Sequence, residues 1–215
     1  MDDAGGTPGD KTTGWRGSRE LWLAAAKEAF LESGLDAVKI QPLAARLNLS
    51  RTSFYWFFKD RAAILEALLA DWEATNTDAL VAACAAYAET VQEAVLNIIG
   101  VFLDGGGFEA RFDFAVRGWA HQSDTVMARV AAADDTRLAA IRGVFARFGY
   151  ETGEADVRAR TIYLVQIGYI SLQTEEDPET RMARIPAYVK TYTGRAPSGR
   201  AMARFRAAHG VAPVQ

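Results

Sequence analysis

The stretch that decides the fold is LNLSRTSFYWFFKDR, which runs from Leu47 to Arg61. Between Arg51 and Phe57 it places five basic or aromatic side chains in seven positions, with small hydroxyl residues between them. The polar members of this set would be unfavourable in a buried helix, and the rings would be unfavourable on a fully solvated one. The mixture predicts a surface that contacts a partner both charged and flat.

Signals on either side of this stretch predict short helices separated by a tight turn. Ser50 can cap a helix over residues 51–57. Asn48 tolerates the left-handed backbone that a tight turn from Asn48 to Ser50 often requires. Before the turn, the pattern predicts a helix over residues 41–47, with Pro42 acceptable in its first turn.

Longer helices frame this pair. Ser18 is a plausible cap for a first helix, which should end before Gly34. Asp60 is expected to cap a long fourth helix whose apolar residues repeat at helical spacing from Ile64 to Trp72. Strand signals are weak, because β-branched residues are sparse and no run alternates with a period of two.

The remainder of the chain also shows helical periodicity, so we predict an all-α fold. The expected helices cover residues 79–103, 109–121, 124–148, 154–172 and 180–193, and Pro186 should kink the last one or delay its start. The predicted organisation is a disordered lead (1–14), a helix-turn-helix domain (15–60), a helical regulatory and dimerisation domain (61–193) and a basic flexible tail (194–215).

Composition excludes several classes of protein and site. No stretch approaches the roughly 20 apolar residues of a membrane span, and the N-terminus lacks the apolar segment of a signal peptide. The single cysteine, Cys84, excludes an internal disulfide and fits a reducing cytoplasm. With two histidines and one cysteine, we expect no metal site and no cofactor.

Charge is unevenly distributed along the chain. Residues 1–61 hold 9 basic and 8 acidic side chains, residues 62–180 hold 8 and 19, and residues 181–215 hold 7 and none. The segment charges of +1, −11 and +7 add up to the −3 of the whole chain. The small net charge therefore does not exclude a nucleic-acid partner, because local charge governs that contact.

The spacing of these residues resembles the N-terminal domain of the TetR (tetracycline-repressor) family over roughly residues 18–70. The matching positions are Gly34-Leu35-Asp36, Leu43-Ala44, Leu49-Ser50, Phe54-Tyr55, Phe58 and Arg61, followed by an apolar helix. Beyond that domain the resemblance extends only to a general layout of nine helices. It implies a homodimeric regulator that binds double-stranded DNA and an unidentified small-molecule effector.

The residues themselves suggest which side chains face DNA. Apolar positions such as Phe54 and Phe58 have the spacing of a small core, which leaves the other faces of the third helix for DNA. Arginine can bind guanine or phosphate, and hydroxyl groups can bind either. The resemblance implies DNA contacts from Gln41, Arg51, Thr52, Ser53, Tyr55, Trp56, Phe57 and Arg61, and we add Lys39 from its position.

Two of these positions depart from the family pattern. Lys39 stands where the family usually has a threonine cap, so we expect a weaker cap and a lysine within reach of DNA. Phe57 replaces a frequent histidine, and it could belong equally to the core or to the DNA surface. These departures prevent the transfer of a family operator sequence.

Candidate ligand-binding residues are large amphipathic side chains on the apolar helices of the body. A buried polar group among rings can be held for a ligand, although a polar group satisfied within the core is the commoner case. The candidates are Trp72, Phe102, Phe112, Arg117, Trp119, His121, Tyr163 and Gln166. Asp134 and Arg137, three residues apart on one helix, have the spacing of a simple local ion pair.

The last two predicted helices carry an apolar face that could bind a second copy of the chain or pack within its own subunit. The candidate interface residues are Ile162, Val165, Gly168, Tyr169, Leu172, Tyr188, Val189 and Tyr192. The resemblance implies a four-helix bundle between two copies. A dimer also supplies the second recognition helix that specific DNA binding requires.

The leading interpretation is a ligand-responsive DNA-binding transcriptional regulator, most simply a repressor, and not an enzyme. A second interpretation is an enzyme on a helical scaffold with His121 as general base. Against it, no carboxylate or nucleophile stands near His121 in a recognisable arrangement. A third is a helical adaptor without DNA binding, and the polar and aromatic side chains from Arg51 to Trp56 argue against that one.

Overall fold

The computed structural model describes residues 17–103 and 105–210, which form eleven α-helices and no strand. The all-α fold predicted from the sequence is therefore confirmed. The chain divides into two compact units, Met1–Glu66 and Ala67–Gln215, with the boundary inside the fourth helix. The predicted disordered lead, residues 1–14, lies outside the described residues.

The first unit contains three helices and the beginning of a fourth. A 3₁₀ turn, Leu35–Ala37, follows the first helix. The helices are α1 (Arg19–Ser33), α2 (Ile40–Arg46), α3 (Arg51–Phe54) and α4 (Arg61–Trp72). The helix α3 is thus shorter than the predicted 51–57, because the backbone turns at residues 55–57.

Side-chain caps fix the starts of these helices where the sequence signals them. The Ser18 Oγ accepts from the Leu21 N–H at 3.2 Å, and the Asp60 Oδ1 accepts from the Ala63 N–H at 2.9 Å. Asn48 has φ 52°, the left-handed conformation expected at the turn between α2 and α3. Lys39 makes no side-chain cap for α2, in agreement with the weak cap expected there.

A small aromatic core holds α1, α2 and α3 together. Phe54 is completely buried, and its ring meets the ring of Trp22 edge-on at 5.3 Å between centroids. Phe58 stacks on Phe54 at 5.5 Å. Leu43 and Ala44 are buried on α2, so α3 rests on a packed apolar layer. This packing fixes the inner face of α3 and therefore determines which side chains lie on its outer face.

The second unit contains the rest of α4 and seven further helices. A π-helical turn, Glu73–Thr77, follows α4. The helices are α5 (Asp78–Ala85), α6 (Val91–Val101), α7 (Ala110–Ala120), α8 (Asp124–Arg147), α9 (Thr152–Ser171), α10 (Pro178–Thr193) and α11 (Gly199–Ala208). The longest helix, α8, packs against α5, α7 and α9, and α6 packs against α5 and α10.

Two predicted helix boundaries are wrong. The single helix expected over 79–103 is broken after Ala85, because Thr90 caps a new helix by accepting from the Glu93 N–H at 3.3 Å. The helix α10 begins at Pro178, before the predicted residue 180, and continues through Pro186, so of the two alternatives, a kink or a late start, the late start does not occur. Asp177 caps it, with its Oδ1 2.9 Å from the Thr180 nitrogen.

The predicted flexible tail is also wrong for residues 199–208, which form α11. Ser198 caps this helix through the Ala201 N–H at 3.1 Å. Ala201 and Phe205, four residues apart, are both buried, so one side of α11 packs on the body. The high arginine content of the segment hides this pattern, because Arg200 and Arg204 are exposed beside the two buried residues. Residues 211–215 lie outside the described part of the chain.

Candidate nucleic-acid interface

The outer face of α3 carries polar and aromatic side chains. Arg51 and Thr52 are exposed in the first turn of the helix. Tyr55 and Trp56, in the turn that follows, are 52% and 64% exposed although both are large rings. Four side chains able to bind phosphates, sugars or base edges therefore lie close together on a short segment.

The geometry of this face follows from the local sequence. The Ser50 Oγ accepts from the Ser53 N–H at 3.3 Å and starts α3 directly after the turn. Phe54 points into the core, and its ring contacts the ring of Tyr55 edge-on at 5.5 Å between centroids. Because Phe54 is fixed, Arg51 and Tyr55 are held on the outside at i and i+4.

Two residues expected to contact DNA are engaged elsewhere, and their assignment needs correction. Ser53 is buried, and its hydroxyl donates to the Ser50 carbonyl at 2.6 Å. The Arg61 Nε donates to the Val38 carbonyl at 2.6 Å and its Nη2 to the Leu35 carbonyl at 2.8 Å. Arg61 therefore fastens the 3₁₀ turn before α2 to the start of α4. Helical spacing could not reveal the partners of Arg61, which lie 23 and 26 residues earlier in the chain.

The remaining candidates vary in exposure. Lys39 and Gln41, at the start of α2, are exposed, whereas Phe57 is half-buried beside the core. The structure adds Lys59, an exposed cation between α3 and α4 that the sequence argument did not single out. Its signal was its position within the same basic and aromatic stretch.

Arg46 shows what an engaged arginine looks like in this unit. It forms ion pairs with Glu28 at 3.4 Å and with Glu32, both on α1. These hydrogen bonds raise the pKa of Arg46 above its ordinary value. The charge of Arg46 is therefore engaged by carboxylates of its own unit. This residue can serve as a control for Arg51, the exposed arginine on α3.

In the second unit, several candidate ligand residues belong to a buried polar network. Asp113 is completely buried and accepts from the Trp72 Nε1 at 3.0 Å, from the Arg117 Nε at 2.7 Å and from the Arg137 Nη1 at 3.0 Å. The Tyr163 hydroxyl donates to Asp134 at 2.6 Å and accepts from Arg137 at 3.1 Å. The network joins α4, α7, α8 and α9.

The charges of this network balance. Arg117 binds Asp134 through both terminal nitrogens, at 2.7 and 2.9 Å, and also pairs with Asp113. Burial opposes the charge of Arg117, but the two carboxylates outweigh it and raise its pKa. Burial also raises the pKa of Tyr163, so its phenol stays protonated. The simple local ion pair expected for Asp134 and Arg137 is therefore one edge of a larger network, at 3.7 Å.

The other candidate ligand residues are spread through the unit. Phe112 is completely buried, and Phe102 packs on Phe108 with 4.6 Å between ring centroids. The Gln166 Oε1 accepts from the Arg181 Nη2 at 3.4 Å, so a neighbour satisfies the carbonyl oxygen of this buried amide. Trp119 is half-buried, and His121 is exposed at the C-terminal end of α7.

Three cavities lie elsewhere in the second unit. The first, which we call the α11 cavity, has about 560 Å³ and lies between α5, α6 and α11. The second, of about 400 Å³, lies between the π-turn and α8, and the third, of about 580 Å³, lies between α9 and α10. Among the described residues that line these three cavities, none is one of the eight candidate ligand residues.

The candidate dimer face also needs revision. Ile162, Val189 and Tyr192 are buried within their own subunit, and the Tyr169 and Tyr188 hydroxyls bind each other at 3.0 Å. Val165 is half-buried. Leu172, one of the candidates, is 79% exposed at the C-terminal cap of α9, and Val157 (64% exposed) and Leu164 (60%) precede it at helical spacing. A Cβ at Gly168 would meet nothing within 4 Å, which leaves room for a partner.

Within the described residues, no helix has the length and apolar composition needed to cross a membrane. Over the same residues, no three histidine, cysteine, aspartate or glutamate side chains are grouped so that they could hold a metal ion.

Comparison with known proteins agrees with the geometry of the first unit. Residues 23–68 match the family model described as bacterial regulatory proteins, tetR family, and this confirms the resemblance found in the sequence. The match covers α2, α3 and most of α1 and α4. No curated protein matches the chain.

Solved structures share a similar fold over most of the chain. GusR from Salmonella enterica is 13% identical with a TM-score of 0.59, over 89% of this chain and 95% of that one. AmtR from Mycobacterium smegmatis is 18% identical with a TM-score of 0.59, over 95% and 99%. A putative TetR-family transcriptional regulator from Mesorhizobium loti is 15% identical with a TM-score of 0.56, over 88% and 95%.

Proposed function

We propose that this chain, which carries the DNA-binding domain of the tetR family of bacterial regulatory proteins, is a homodimeric repressor that a small molecule releases from a palindromic operator. The observation that carries the proposal is the outer face of α3. There, Arg51 and Thr52 are exposed on a helix whose inner face is fixed by packing, and Tyr55 and Trp56 are exposed in the turn that follows it.

The chemistry of these side chains suits duplex DNA. Arg51 can donate two hydrogen bonds to guanine in the major groove, or bind phosphate, and Thr52 can serve either contact. Tyr55 and Trp56 bring a hydroxyl and an indole N–H to phosphates while their rings cover sugars. Exposure of two such rings in water is unfavourable in an isolated surface, and contact with DNA would bury them.

Further DNA contacts are assigned to Lys39 and Gln41 on the neighbouring helix and to Lys59 after α3. All three are exposed, and cations at the edge of a recognition helix typically hold phosphates. Ser53 and Arg61 are left out, because their polar groups bind backbone atoms of the same unit.

A dimer is needed because one helix of this length reads too few base pairs for a specific site. The exposed apolar side chains of α9, Val157, Leu164 and Leu172, offer a face for a second copy. Gly168 lies between the last two and would permit close approach of two helices. Two recognition helices could then enter successive major grooves, about 34–36 Å apart.

Release by a ligand follows from a shift of population. In one state of the dimer, the two first units are wrongly spaced for DNA. A small molecule that binds this state more tightly lowers the affinity of the protein for DNA. The factor equals the ratio of its affinities for the two states. The buried network around Asp113 suits this role, because packed polar clusters tend to have discrete arrangements rather than a continuous range.

Selection of duplexes from a random pool tests the proposal. The expected product is an inverted repeat whose half-sites lie about one helical turn apart. The affinity for this duplex should fall steeply with salt, by about 0.9 in log K per phosphate contact for each decade of salt. Failure to enrich any sequence at low salt, with a folded protein, would refute DNA binding.

A further inference from the structure

The α11 cavity has the size and the lining of a small-molecule site. Its volume of about 560 Å³ lies within the usual range for ligand pockets, about 300–1,000 Å³. Leu96 and Val101 on α6 and Ala201 and Phe205 on α11 give it an apolar floor. Polar groups gather at its mouth, on the segment that joins α5 to α6.

Close packing of α6 on α11 forms the inner wall of this cavity. A Cβ at Gly100 would lie 2.7 Å from the His209 Nε2 and 3.2 Å from the Phe205 ring, so this position accepts only glycine without a shift. The His209 ring packs on Phe205 at 4.6 Å between centroids. Burial lowers the pKa of His209, which favours the neutral form of its ring.

The charged side chains at the mouth of the cavity differ in whether an opposite charge already binds them. Glu93 binds Arg204 across the mouth and accepts from the Glu89 N–H at 3.0 Å. Its carboxylate is therefore already balanced by a cation and by the start of α6. Arg204 is balanced by the same pair. The exposed Glu89 carboxylate, which lines the same cavity, supplies the remaining charge, and it is negative.

An aromatic ring lines the same cavity as this carboxylate. Tyr87 lines the cavity two residues from Glu89, and it is 85% exposed. An exposed ring and an exposed carboxylate that line one cavity are the combination that binds an alkylammonium group, through the face of the ring and through charge. The apolar floor would bury the rest of such a molecule.

From this arrangement we propose that the α11 cavity binds a lipophilic organic cation, with its ammonium group between Tyr87 and Glu89 and its apolar body on the floor. This proposal rests on the function proposed above and identifies the class of effector. It also gives α11 a role, because that helix supplies one wall of the site. Anionic ligands are disfavoured, since Arg204 is engaged by Glu93 and burial favours the neutral form of His209.

Calorimetry with three probes of similar size tests the chemistry. The probes are 3-phenylpropyl-trimethylammonium, neutral 4-phenylbutanol and anionic 4-phenylbutyrate. The cation should bind one molecule per chain, and 4-phenylbutyrate should bind at least about 10-fold more weakly. Equal or tighter binding of the anion would overturn the proposal.

Variants locate the site. Tyr87→Ala and Glu89→Gln change exposed side chains, and each should weaken binding of the cation by about 2–5-fold, the range expected for an exposed cation–π or charge contact. Ala208→Phe should fill the cavity and reduce binding at least about 10-fold, because Ala208 lines it. Ala207→Phe, at an exposed neighbour outside the lining, is the matched control. Equal binding by Ala208→Phe and Ala207→Phe would refute the location.

Binding to a selected duplex separates failure of this inference from failure of the proposed function. The cation should weaken DNA binding by the wild type and leave the Ala208→Phe variant unaffected. A wild-type protein that binds its duplex but ignores the cation would refute the cavity alone. A protein that binds no duplex would refute the regulator, whatever the calorimetry gives.

Discussion

Replacing Arg137 with methionine should strongly destabilise the second unit. The side chain is completely buried, and its guanidinium donates to Asp113, Thr77 and Tyr163 at 3.0, 3.0 and 3.1 Å. It also lies 4.8 Å from the centre of the Trp72 ring. Methionine retains most of the volume but removes one of the two cations that balance Asp113 and Asp134.

The expected cost is about 3–5 kcal/mol of unfolding free energy, the usual result of removing one member of a buried ion pair. Arg117 still neutralises Asp113 at 2.7 Å, so the lower half of this range is expected. The measurement is urea unfolding followed by circular dichroism at one fixed protein concentration, because a dimer makes the midpoint depend on concentration.

Arg142→Met is the matched control on the same helix. Arg142 is exposed and pairs with Asp156 at 3.3 Å, so its loss should cost about 0–1 kcal/mol. The double variant Asp113→Leu/Arg137→Met should be more stable than Arg137→Met alone, because no unbalanced pair charge remains. Exposed ion pairs contribute up to about 1 kcal/mol. If the unfolding free energies of Arg137→Met and Arg142→Met differ by less than this, the network is not a major source of stability.

Two further changes test the first unit and the dimer. Arg61→Met should lower the stability of the first unit by about 1.5–3 kcal/mol, because two charged hydrogen bonds to the Val38 and Leu35 carbonyls are lost. Thermal unfolding checks this, and an unchanged midpoint would contradict the clamp. Leu164→Glu should convert the protein to monomers in sedimentation velocity by placing a charge on the exposed α9 face. Met127→Glu, at an exposed apolar residue of α8, should remain dimeric, and a dimer that survives Leu164→Glu would exclude this face.

Local signals in the sequence were sufficient for the first unit. Ser18, Ser50 and Asp60 were expected to cap helices, and each accepts the N–H of the residue three positions later. Asn48 adopts the left-handed conformation expected of it. Such signals are readable because they depend on neighbours within four residues along the chain.

Interactions between distant segments were not readable in the same way. Helical spacing paired Asp134 with Arg137 on one helix, whereas the shorter contacts of Arg137 come from Asp113 and Tyr163, 24 and 26 residues away. Arg61 has the position of a phosphate contact, yet its partners are carbonyls 23 and 26 residues earlier. A helical wheel shows which residues share a face, but not what packs against that face.

The same limit explains why neither the helix in the C-terminal segment nor the α11 cavity was predicted. Four arginines and several small residues made residues 194–215 look like a tail. Burial of Phe205 depends on the open surface of α6 at Gly100, which only the fold reveals. The α11 cavity could therefore not be anticipated from periodicity.

The measurement that tests the central claim most directly is the affinity of Arg51→Ala for a selected duplex, followed by fluorescence anisotropy. Arg51 is exposed on α3, whereas Arg46, in the same unit, is engaged by Glu28 and Glu32. The account predicts that Arg51→Ala weakens binding by about 1–3 kcal/mol per contact without lowering the melting temperature, and that Arg46→Ala binds as the wild type does. Wild-type affinity for Arg51→Ala would show that the outer face of α3 does not read DNA.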